Sequence, residues 1–304
     1  MQQKHKIVSL TMFYLKTLLL IFLSGCISDV TLTGNEDEPG LVLNGILTPS
    51  EDTVWVYLSW TKPVQSANTF SYETEAQVRL FEDGKSVGEL SFSDSSTYIL
   101  PYRVTPGKTY RIEAEAGRVN IWAETSVPRK LDATIDKLPS STEGYQLTFS
   151  DNSNEDNFYW VGATRYEKLL DTTRLDTTVF YLKKDIAFAI LTDFEYADDF
   201  NRYINNQGNY KFEYEYYIRF SDAQLAGKEV RVKFRPMGGS SPEVFLLSAD
   251  YHLDKYMKSS LLLERMELYA EDMPVIFSPQ TIYTNIHGGT GIFGSYYGVS
   301  KEFN

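Results

Sequence analysis

Three glycines near the end of the chain have the spacing of a nucleotide-binding loop. The segment NIHGGTGIFGSYYG, residues 285–298, places Gly289, Gly291 and Gly294 in the pattern G-x-G-x-x-G. Such a loop binds a pyrophosphate only between a strand and a helix, with an acidic residue about 20 positions later that holds the ribose. Ten residues follow Gly294, which leaves no room for that unit. We therefore interpret the glycines as part of a closing strand or loop whose backbone packs tightly or takes positive φ.

The same segment contains HGGTG, residues 287–291, which resembles the oxyanion loop of lipases and esterases. The sequence has no G-x-S-x-G nucleophile elbow, and His252 and His287 are the only histidines after residue 25. A Ser-His-acid triad would therefore lack a recognisable nucleophile. We predict that the protein is not an enzyme.

Metal chemistry is limited by the same scarcity of histidine and cysteine. A structural zinc site needs several such ligands, so we predict no zinc, no other bound metal and no cofactor. The loop DNSNEDN, from Asp151 to Asn157, concentrates oxygen ligands. However, Asp156 stands where an EF-hand requires glycine, and Gly162 stands where it requires glutamate. We interpret the loop as an Asp/Asn turn, and calcium binding there stays open.

The N-terminus has the features of a bacterial lipoprotein signal peptide. Lys4 and Lys6 precede the apolar run LLLIFL, and LSGC ends at Cys26, the single cysteine. The run is shorter than the roughly 20 residues that a membrane-spanning helix needs. We predict that residues 1–25 are the signal peptide, that Cys26 is lipidated, and that residues 26–40 form a lipidated tether.

The charge of the chain excludes one class of partner. Removing residues 1–25 leaves 26 basic against 41 acidic residues, a net charge of −15. Nucleic-acid binding requires clusters of Lys and Arg against the phosphate backbone, so we predict no nucleic-acid partner. An acidic surface is also repelled by an anionic membrane, so attachment should come from the lipid alone.

Residue alternation predicts two β-rich domains. In residues 41–128, short alternating runs separated by turns predict a β-sandwich, and Asp83-Gly84 predicts a hairpin. Residues 140–304 are also strand-rich, and the alternating run YKFEYEYYIRF predicts one strand over residues 210–220. A helix is predicted near residues 248–268. Its apolar positions, at spacings of three and four, are Leu253, Tyr256, Met257 and Leu261.

The glycine segment and its flanks also carry a family resemblance. They resemble the C-terminal signature N-[IV]-x-G-G-x-G-[IL]-F-G, preceded by a proline and an aromatic residue, of Bacteroidota lipoproteins grouped as domain of unknown function 4249. The matching residues are Pro279, Tyr283, Asn285, Ile286, Gly288, Gly289, Gly291, Ile292, Phe293 and Gly294. The opening LVLNGILTP and the stretch FSDNSNEDNFYWV are similar to this family as well. His287 falls at a position where we expect variation, and no function is attached to it.

The resemblance implies an outer-membrane lipoprotein that is a partner of a TonB-dependent transporter in nutrient binding or uptake. It implies a mainly β fold, with an immunoglobulin-like or carboxypeptidase-regulatory-like β-sandwich followed by a β-rich domain with one helix. We interpret the signature as a fold element in preference to a ligand contact.

Two rival classes of function remain open. A pilus or adhesin subunit would also combine a lipoprotein signal with tandem β-domains, and it would polymerise by strand exchange. A surface hydrolase would instead collect carboxylates in one cleft. The sequence leaves open the ligand, the transporter, the oligomeric state, and whether the protein is surface-exposed or faces the periplasm.

Overall fold

The structure is a computed structural model that describes residues 39–62, 71–139, 144–152, 155–171, 179–186, 189–204, 210–237, 240–269 and 281–303. The predicted signal peptide, Cys26, most of the tether and Pro279 lie outside the described residues. Residues Pro39–Asn304 form one compact unit. The predicted fold class is confirmed, because the molecule is mainly β with sandwich-like sheets and has one α-helix in its described part. No described helix has the length and hydropathy needed to cross a bilayer.

The first part of the chain forms a β-sandwich. Its strands are β1 Leu41–Leu47, β2 Val54–Trp60, β3 Ser71–Tyr72, β4 Gln77–Glu82, β5 Lys85–Asp94, β6 Thr97–Leu100, β7 Thr109–Ala116 and β8 Val119–Ser126. One layer has the order β1-β2-β6-β5, with β3 on β2, and the other has the order β5-β4-β7-β8. Strand β5 therefore passes from one layer to the other. The hairpin between β4 and β5 is confirmed, and both Asp83 and Gly84 take the positive φ that its tight turn requires.

The second part of the chain contributes two more layers and the helix. Its strands are β9 Ala133–Lys137, β10 Tyr145–Ser150, β11 Phe158–Asp171, β12 Val179–Ile186, β13 Ala189–Thr192, β14 Arg202–Ile204, β15 Phe212–Glu215, β16 Tyr217–Ser221, β17 Glu229–Met237, β18 Ser240–Ala249 and β19 Thr290–Glu302; the helix α1 is Tyr251–Tyr269. One layer has the order β14-β15-β13-β17-β10-β9. In the other, β11 pairs with β18, β12 and β16, and β18 pairs with β19.

The prediction of one strand over residues 210–220 is wrong. The run is divided into β15 and β16, which belong to different sheets. Tyr216, between them, has a φ of 64°, in the left-handed region that turns the chain out of the extended path. The alternation of burial holds on both sides of this turn, since Phe212, Tyr214, Ile218 and Phe220 are all buried.

Strand β19 joins the two sandwiches. Its residues 290–295 run parallel to β1, and its residues 296–302 run antiparallel to β18. The last strand along the chain therefore completes a layer that begins with the first strand. The division into domains at residues 41–128 and 140–304 stays a prediction, and β19 of the second part is also a member of the first sandwich.

Two buried apolar clusters form the cores of the sandwiches. The first contains side chains from residues 41–127 together with Ile286 and Phe293. The second contains side chains from residues 131–246, and Tyr297 of β19 packs against it. Strand β19 thus contributes apolar side chains to both cores, which ties the folding of one sandwich to that of the other.

The helix predicted near residues 248–268 is confirmed at Tyr251–Tyr269. It begins later than predicted because residues 248 and 249 are the last two of β18. Leu253 is buried, and Met257 and Leu261 are half-buried against Trp160 of β11. The predicted apolar stripe is therefore the face by which α1 packs on the second sandwich.

A buried ion pair fixes α1 to the sheet. Asp254, which is 1% exposed, accepts hydrogen bonds from Nε and Nη2 of Arg219 at 2.9 and 2.8 Å and from Nε1 of Trp160 at 3.0 Å. Nη1 of Arg219 lies 2.8 Å from Asp198, which also accepts from Lys258 at 3.0 Å. Both oxygens of the buried carboxylate are thus satisfied, as a charge removed from water requires.

Candidate functional site

The glycine signature closes the gap between the two outer strands of the first sandwich. On one side, residues 290–295 pair with β1. On the other side, the backbone N–H of His287 donates to the carbonyl oxygen of Trp122 at 2.8 Å, and that of Trp122 donates to His287 at 3.2 Å. Trp122 lies in β8, so the segment covers an edge of β8 that would otherwise be exposed.

Gly288 and Gly289 lie where the signature passes between β8 and β1. A Cβ added at Gly288, which has a φ of +79°, would stand 2.7 Å from the carbonyl oxygen of Asn120 in β8. A Cβ added at Gly289 would stand 2.5 Å from the carbonyl oxygen of Leu41 in β1. Since real Cβ atoms do not approach backbone oxygens so closely, a residue with any side chain would push the two strands apart.

Gly291 and Gly294 bring β19 against β1 and α1. At Gly291, with a φ of +111°, a Cβ would lie 2.1 Å from the carbonyl oxygen of Leu43. At Gly294 it would lie 2.9 Å from Cβ of Leu253, at the start of the helix. The close approach of backbone to backbone accounts for glycine at these positions.

Asn285 holds the signature in its turn. Its Oδ1 accepts from the backbone N–H of Phe293 at 3.0 Å, and its Nδ2 donates to the carbonyl oxygen of Phe293 at 2.8 Å. Nδ2 also lies 3.2 Å from the carbonyl oxygen of Glu124 in β8. The amide therefore acts as a strand partner for Phe293, whose ring is fully buried in the first core beside the buried Ile292.

A buried carboxyl group, that of Asp250, connects the signature to α1 and β8. Its Oδ1 accepts from the backbone N–H groups of Leu253 and Ser295, both at 3.0 Å. Its Oδ2 accepts from the Thr125 hydroxyl at 2.9 Å and from the N–H of His252 at 3.3 Å. Asp250 is thus the N-cap of α1. Burial raises the pKa of this carboxyl group, against the lowering effect of the hydrogen bonds that it accepts.

We expect Asp250→Ala to lower the free energy of unfolding by about 2–4 kcal/mol. Loss of the helix cap costs about 1 kcal/mol, and the buried N–H of Ser295 loses its partner at a further cost of about 1–3 kcal/mol. Asp250→Asn, which keeps one acceptor oxygen, should cost less than the alanine variant. Urea unfolding of the three proteins checks this order, and equal loss in both variants would contradict it.

A cleft lies beside the signature, between β8 and the start of α1. It consists of two adjoining depressions of about 430 Å³ each, which share Glu124 and His252 in their walls. We call it the β8–α1 cleft. Its walls include the side chains of Trp122, Glu124, Glu155, Asp156, Tyr251, His252, Tyr283 and His287. The signature contributes Asn285, Ile286 and the exposed His287 to the lining.

Aromatic and histidine rings form one end of the cleft. The ring of His287 stacks on that of Trp122, with centroids 3.8 Å apart and planes within 8°. The guanidinium carbon of Arg111 lies 4.0 Å from the Trp122 centroid. Nδ1 of His252 lies 2.8 Å from the Tyr283 hydroxyl. Both histidines that the sequence singled out therefore line the same cleft, and each contacts an aromatic ring.

The loop considered for calcium is occupied by hydrogen bonds within the protein. Asp151 accepts from the Tyr159 hydroxyl at 2.5 Å and from the N–H of Gly227 at 3.0 Å. Oδ1 of Asn157 accepts from the Ser248 hydroxyl at 3.1 Å. In the part of the chain that the structure describes, no group of three His, Cys, Asp or Glu side chains is arranged to hold a metal ion. Residues 153 and 154 lie outside that part.

Comparison with protein families identifies a match over most of the chain. The family described as domain of unknown function, DUF4249, matches residues 27–302. The chain belongs to this family. The resemblance stated for DUF4249 from the sequence is thus confirmed at the level of the family. Among proteins of curated function, none matches the sequence.

Solved structures similar to this DUF4249 chain belong to bacterial proteins of low identity. One match is to a Corynebacterium diphtheriae protein described as membrane anchored, with 11% identity and a TM-score of 0.20. The match covers 70% of this chain and 55% of that protein. Adhesin InvE from Yersinia pseudotuberculosis has 14% identity, the same coverages and a TM-score of 0.19. The collagen adhesin CNA from S. aureus has 8% identity, coverages of 86% and 93%, and a TM-score of 0.15. The chain thus spans 55% of the first two, and these scores support no argument about fold or function.

The structure brings most of the predicted DUF4249 signature together and adds residues that the sequence had not indicated. Residues 285–294 act as one segment against β1, β8 and α1, whereas Cys26 lies outside the described residues. Sequence reasoning missed Asp250, Trp122 and Glu124 as neighbours of the signature. Asp250 had a detectable signal, since Asp directly before an apolar helical period is a typical N-cap. Trp122 and Glu124 had none, because they meet the signature only through the sheet topology.

Proposed function

We propose that this DUF4249 protein is an outer-membrane-anchored, non-enzymatic accessory lipoprotein of Bacteroidota that binds a ligand in the β8–α1 cleft. Its partner is a TonB-dependent transporter in nutrient binding or uptake. The observation that carries the proposal is the cleft itself, which is open, lined by polar and aromatic side chains, and built on a rigid segment. Such concave sites on a rigid frame are typical of ligand binding.

The contacts of the histidines support binding in preference to hydrolysis. A hydrolase of the Ser-His-acid type needs a histidine hydrogen-bonded to a serine hydroxyl. Here His252 contacts the Tyr283 hydroxyl, and His287 stacks on Trp122. These are contacts that hold aromatic walls in place.

The position of β19 supports an accessory protein in preference to a strand-exchange polymer. Strand exchange inserts an extended segment of one copy beside an open strand edge of the next. In this chain β19 already occupies the place between β1 and β18. A donor strand from another copy could enter at that place only by displacing the pairing of residues 290–302.

Lipid anchoring is tested at Cys26. We expect Cys26→Ala to prevent lipidation, because the thiol is the acceptor of the diacylglycerol in a lipoprotein signal. The variant should lose label from palmitate and should no longer partition with the outer membrane. As a control, Ser24→Ala keeps a small residue before the cysteine and should remain anchored. Palmitate labelling and membrane association of the Cys26→Ala variant would refute the lipoprotein assignment.

The transporter partnership is tested by affinity purification. A tag after residue 304 is used to isolate the protein from native membranes in mild detergent, and co-purifying proteins are identified by mass spectrometry. The proposal expects a TonB-dependent transporter in a stoichiometric amount. Non-covalent polymers of the protein with itself would favour the pilus or adhesin class instead. Isolation of the protein without a transporter would overturn the proposed partnership.

A further inference from the structure

The charged groups of the β8–α1 cleft all have the same sign. Four carboxyl groups lie in its walls, and the described lining includes neither lysine nor arginine. Two of the four are already engaged: Asp250 is buried in its network, and Glu155 pairs with Nε of Arg129 at 2.8 Å. Glu124 and Asp156, both exposed, are the carboxylates that a ligand in the cleft would meet.

Glu124 has only a weak partner within the protein. Its Oε1 lies 3.5 Å from Nη1 of Arg111, whose Nε lies 2.8 Å from Glu113. A charge-assisted hydrogen bond is normally about 2.7–2.9 Å long. Arg111 therefore bonds to Glu113, and most of the hydrogen-bonding capacity of the Glu124 carboxylate is unused. The side chain of Glu124 is 51% exposed, which makes it accessible to a bound cation.

The aromatic rings at the two ends of the cleft already attract cations of the chain itself. The guanidinium carbon of Arg111 lies 4.0 Å from the centroid of Trp122, and Nζ of Lys255 lies 5.5 Å from that of Tyr251. The negative face of an aromatic ring favours such groups. Tyr251 is 52% exposed, so its ring combines accessibility with this preference.

We propose that the β8–α1 cleft binds an alkylammonium or guanidinium group, held between Glu124, Asp156 and the ring of Tyr251. The inference rests on the proposed binding function of the cleft but is independent of the transporter. Anionic ligands are disfavoured there, because they would meet uncompensated carboxylates. The acidic surface of the whole chain, with a formal net charge of −12, would speed the approach of a cationic ligand.

Calorimetric titration of the full-length protein in neutral detergent tests the inference. The probes are an N-acetylated, C-amidated Gly-Lys-Gly peptide, its arginine counterpart, spermidine, and the first peptide with an acetylated lysine. We expect saturable binding of the cations, weakened at high salt because exposed charges are screened, and no binding of the acetyl-lysine peptide. Stronger binding of the peptides than of spermidine assigns the ligand to a peptide side chain, and the reverse order assigns it to a free amine.

Charge-neutral variants locate the binding to the cleft. The double variant Glu124→Gln with Asp156→Asn should weaken cation binding roughly tenfold or more. The matched control, Glu89→Gln with Asp94→Asn, removes two exposed carboxylates of β5 and should bind as the unchanged protein does. Equal weakening in both variants would mean that net charge alone causes the effect, and it would overturn the assignment of the site. Binding of the acetylated peptide or of a neutral oligosaccharide such as maltoheptaose at the same place would overturn the ligand class.

The same variants separate this inference from the proposed function. If a transporter co-purifies while no cation binds, the cation site is wrong and the accessory function stands. If cations bind at Glu124 and Asp156 while no transporter co-purifies, the site stands and the transporter partnership is wrong.

Discussion

Gly291→Ala is expected to lower the free energy of unfolding by more than about 4 kcal/mol, a loss that few single substitutions cause. The added Cβ would lie 2.1 Å from the carbonyl oxygen and 2.8 Å from the carbonyl carbon of Leu43. These are backbone atoms in a parallel pair that also supports the first core, so they cannot rotate away as a side chain could. The φ of +111° adds strain for any residue with a Cβ. Thermal and urea unfolding of the variant measure the loss.

Gly84→Ala is the matched control for Gly291→Ala. Gly84 has a φ of +77°, and a Cβ added there has nothing within 4 Å. This variant therefore incurs the conformational cost alone, about 1–2 kcal/mol. The difference between the two variants reports the contact between β19 and β1. Equal losses would show that the conformation of Gly291, and not its close packing, determines the effect.

Asp254→Ala is expected to cost about 3–5 kcal/mol, because it leaves the guanidinium group of Arg219 buried without its bidentate partner. The same change removes the acceptor for the indole N–H of Trp160, whose side chain is fully buried. Helix α1 should lose its fixed position on the second sandwich. Urea unfolding gives the free energy, and the fluorescence of the tryptophans reports the change around Trp160.

Two further variants interpret the result at Asp254. The double substitution Asp254→Leu with Arg219→Met removes both charges and should recover much of the stability, as apolar replacements of buried pairs do. Asp132→Ala breaks the ion pair between Asp132 and Lys130, whose side chains are 86% and 68% exposed, respectively. This variant should cost less than about 1 kcal/mol. A small loss for Asp254→Ala would mean that α1 is held by its apolar face alone.

The local elements were predictable because their signals are local. Alternation of side chains predicted the β class, Asp83-Gly84 predicted a hairpin, and the spacing of Leu253, Met257 and Leu261 predicted the helix. Each of these depends on residues that are a few positions apart. The predicted tight packing of the signature is consistent with the positions of its glycines, since their neighbours are backbone atoms of β1 and β8 and the start of α1.

The long-range arrangement was not predictable from one sequence. Nothing in the residues of β1 indicates a parallel partner at the far end of the chain, because strand pairing depends on backbone hydrogen bonds that any residue can make. Tyr216 was also missed, since a left-handed residue inside an alternating run is unusual for a large side chain. Neither the alternation of side chains nor the helical spacing predicted the cleft, because β8, α1 and the signature meet only in the folded molecule.

The parallel pairing of β1 with β19 has a consequence for biogenesis. A chain made from its N-terminus presents the strands from β1 to β8 long before β19, which pairs with β1, emerges. Until then the edges of β1 and β8 lie open, and unpaired edges are prone to aggregation. A topology dominated by such distant contacts also folds slowly. The nascent first sandwich should therefore depend on chaperones until synthesis is complete, and a ribosomal stall before residue 290 should yield a product that proteases remove.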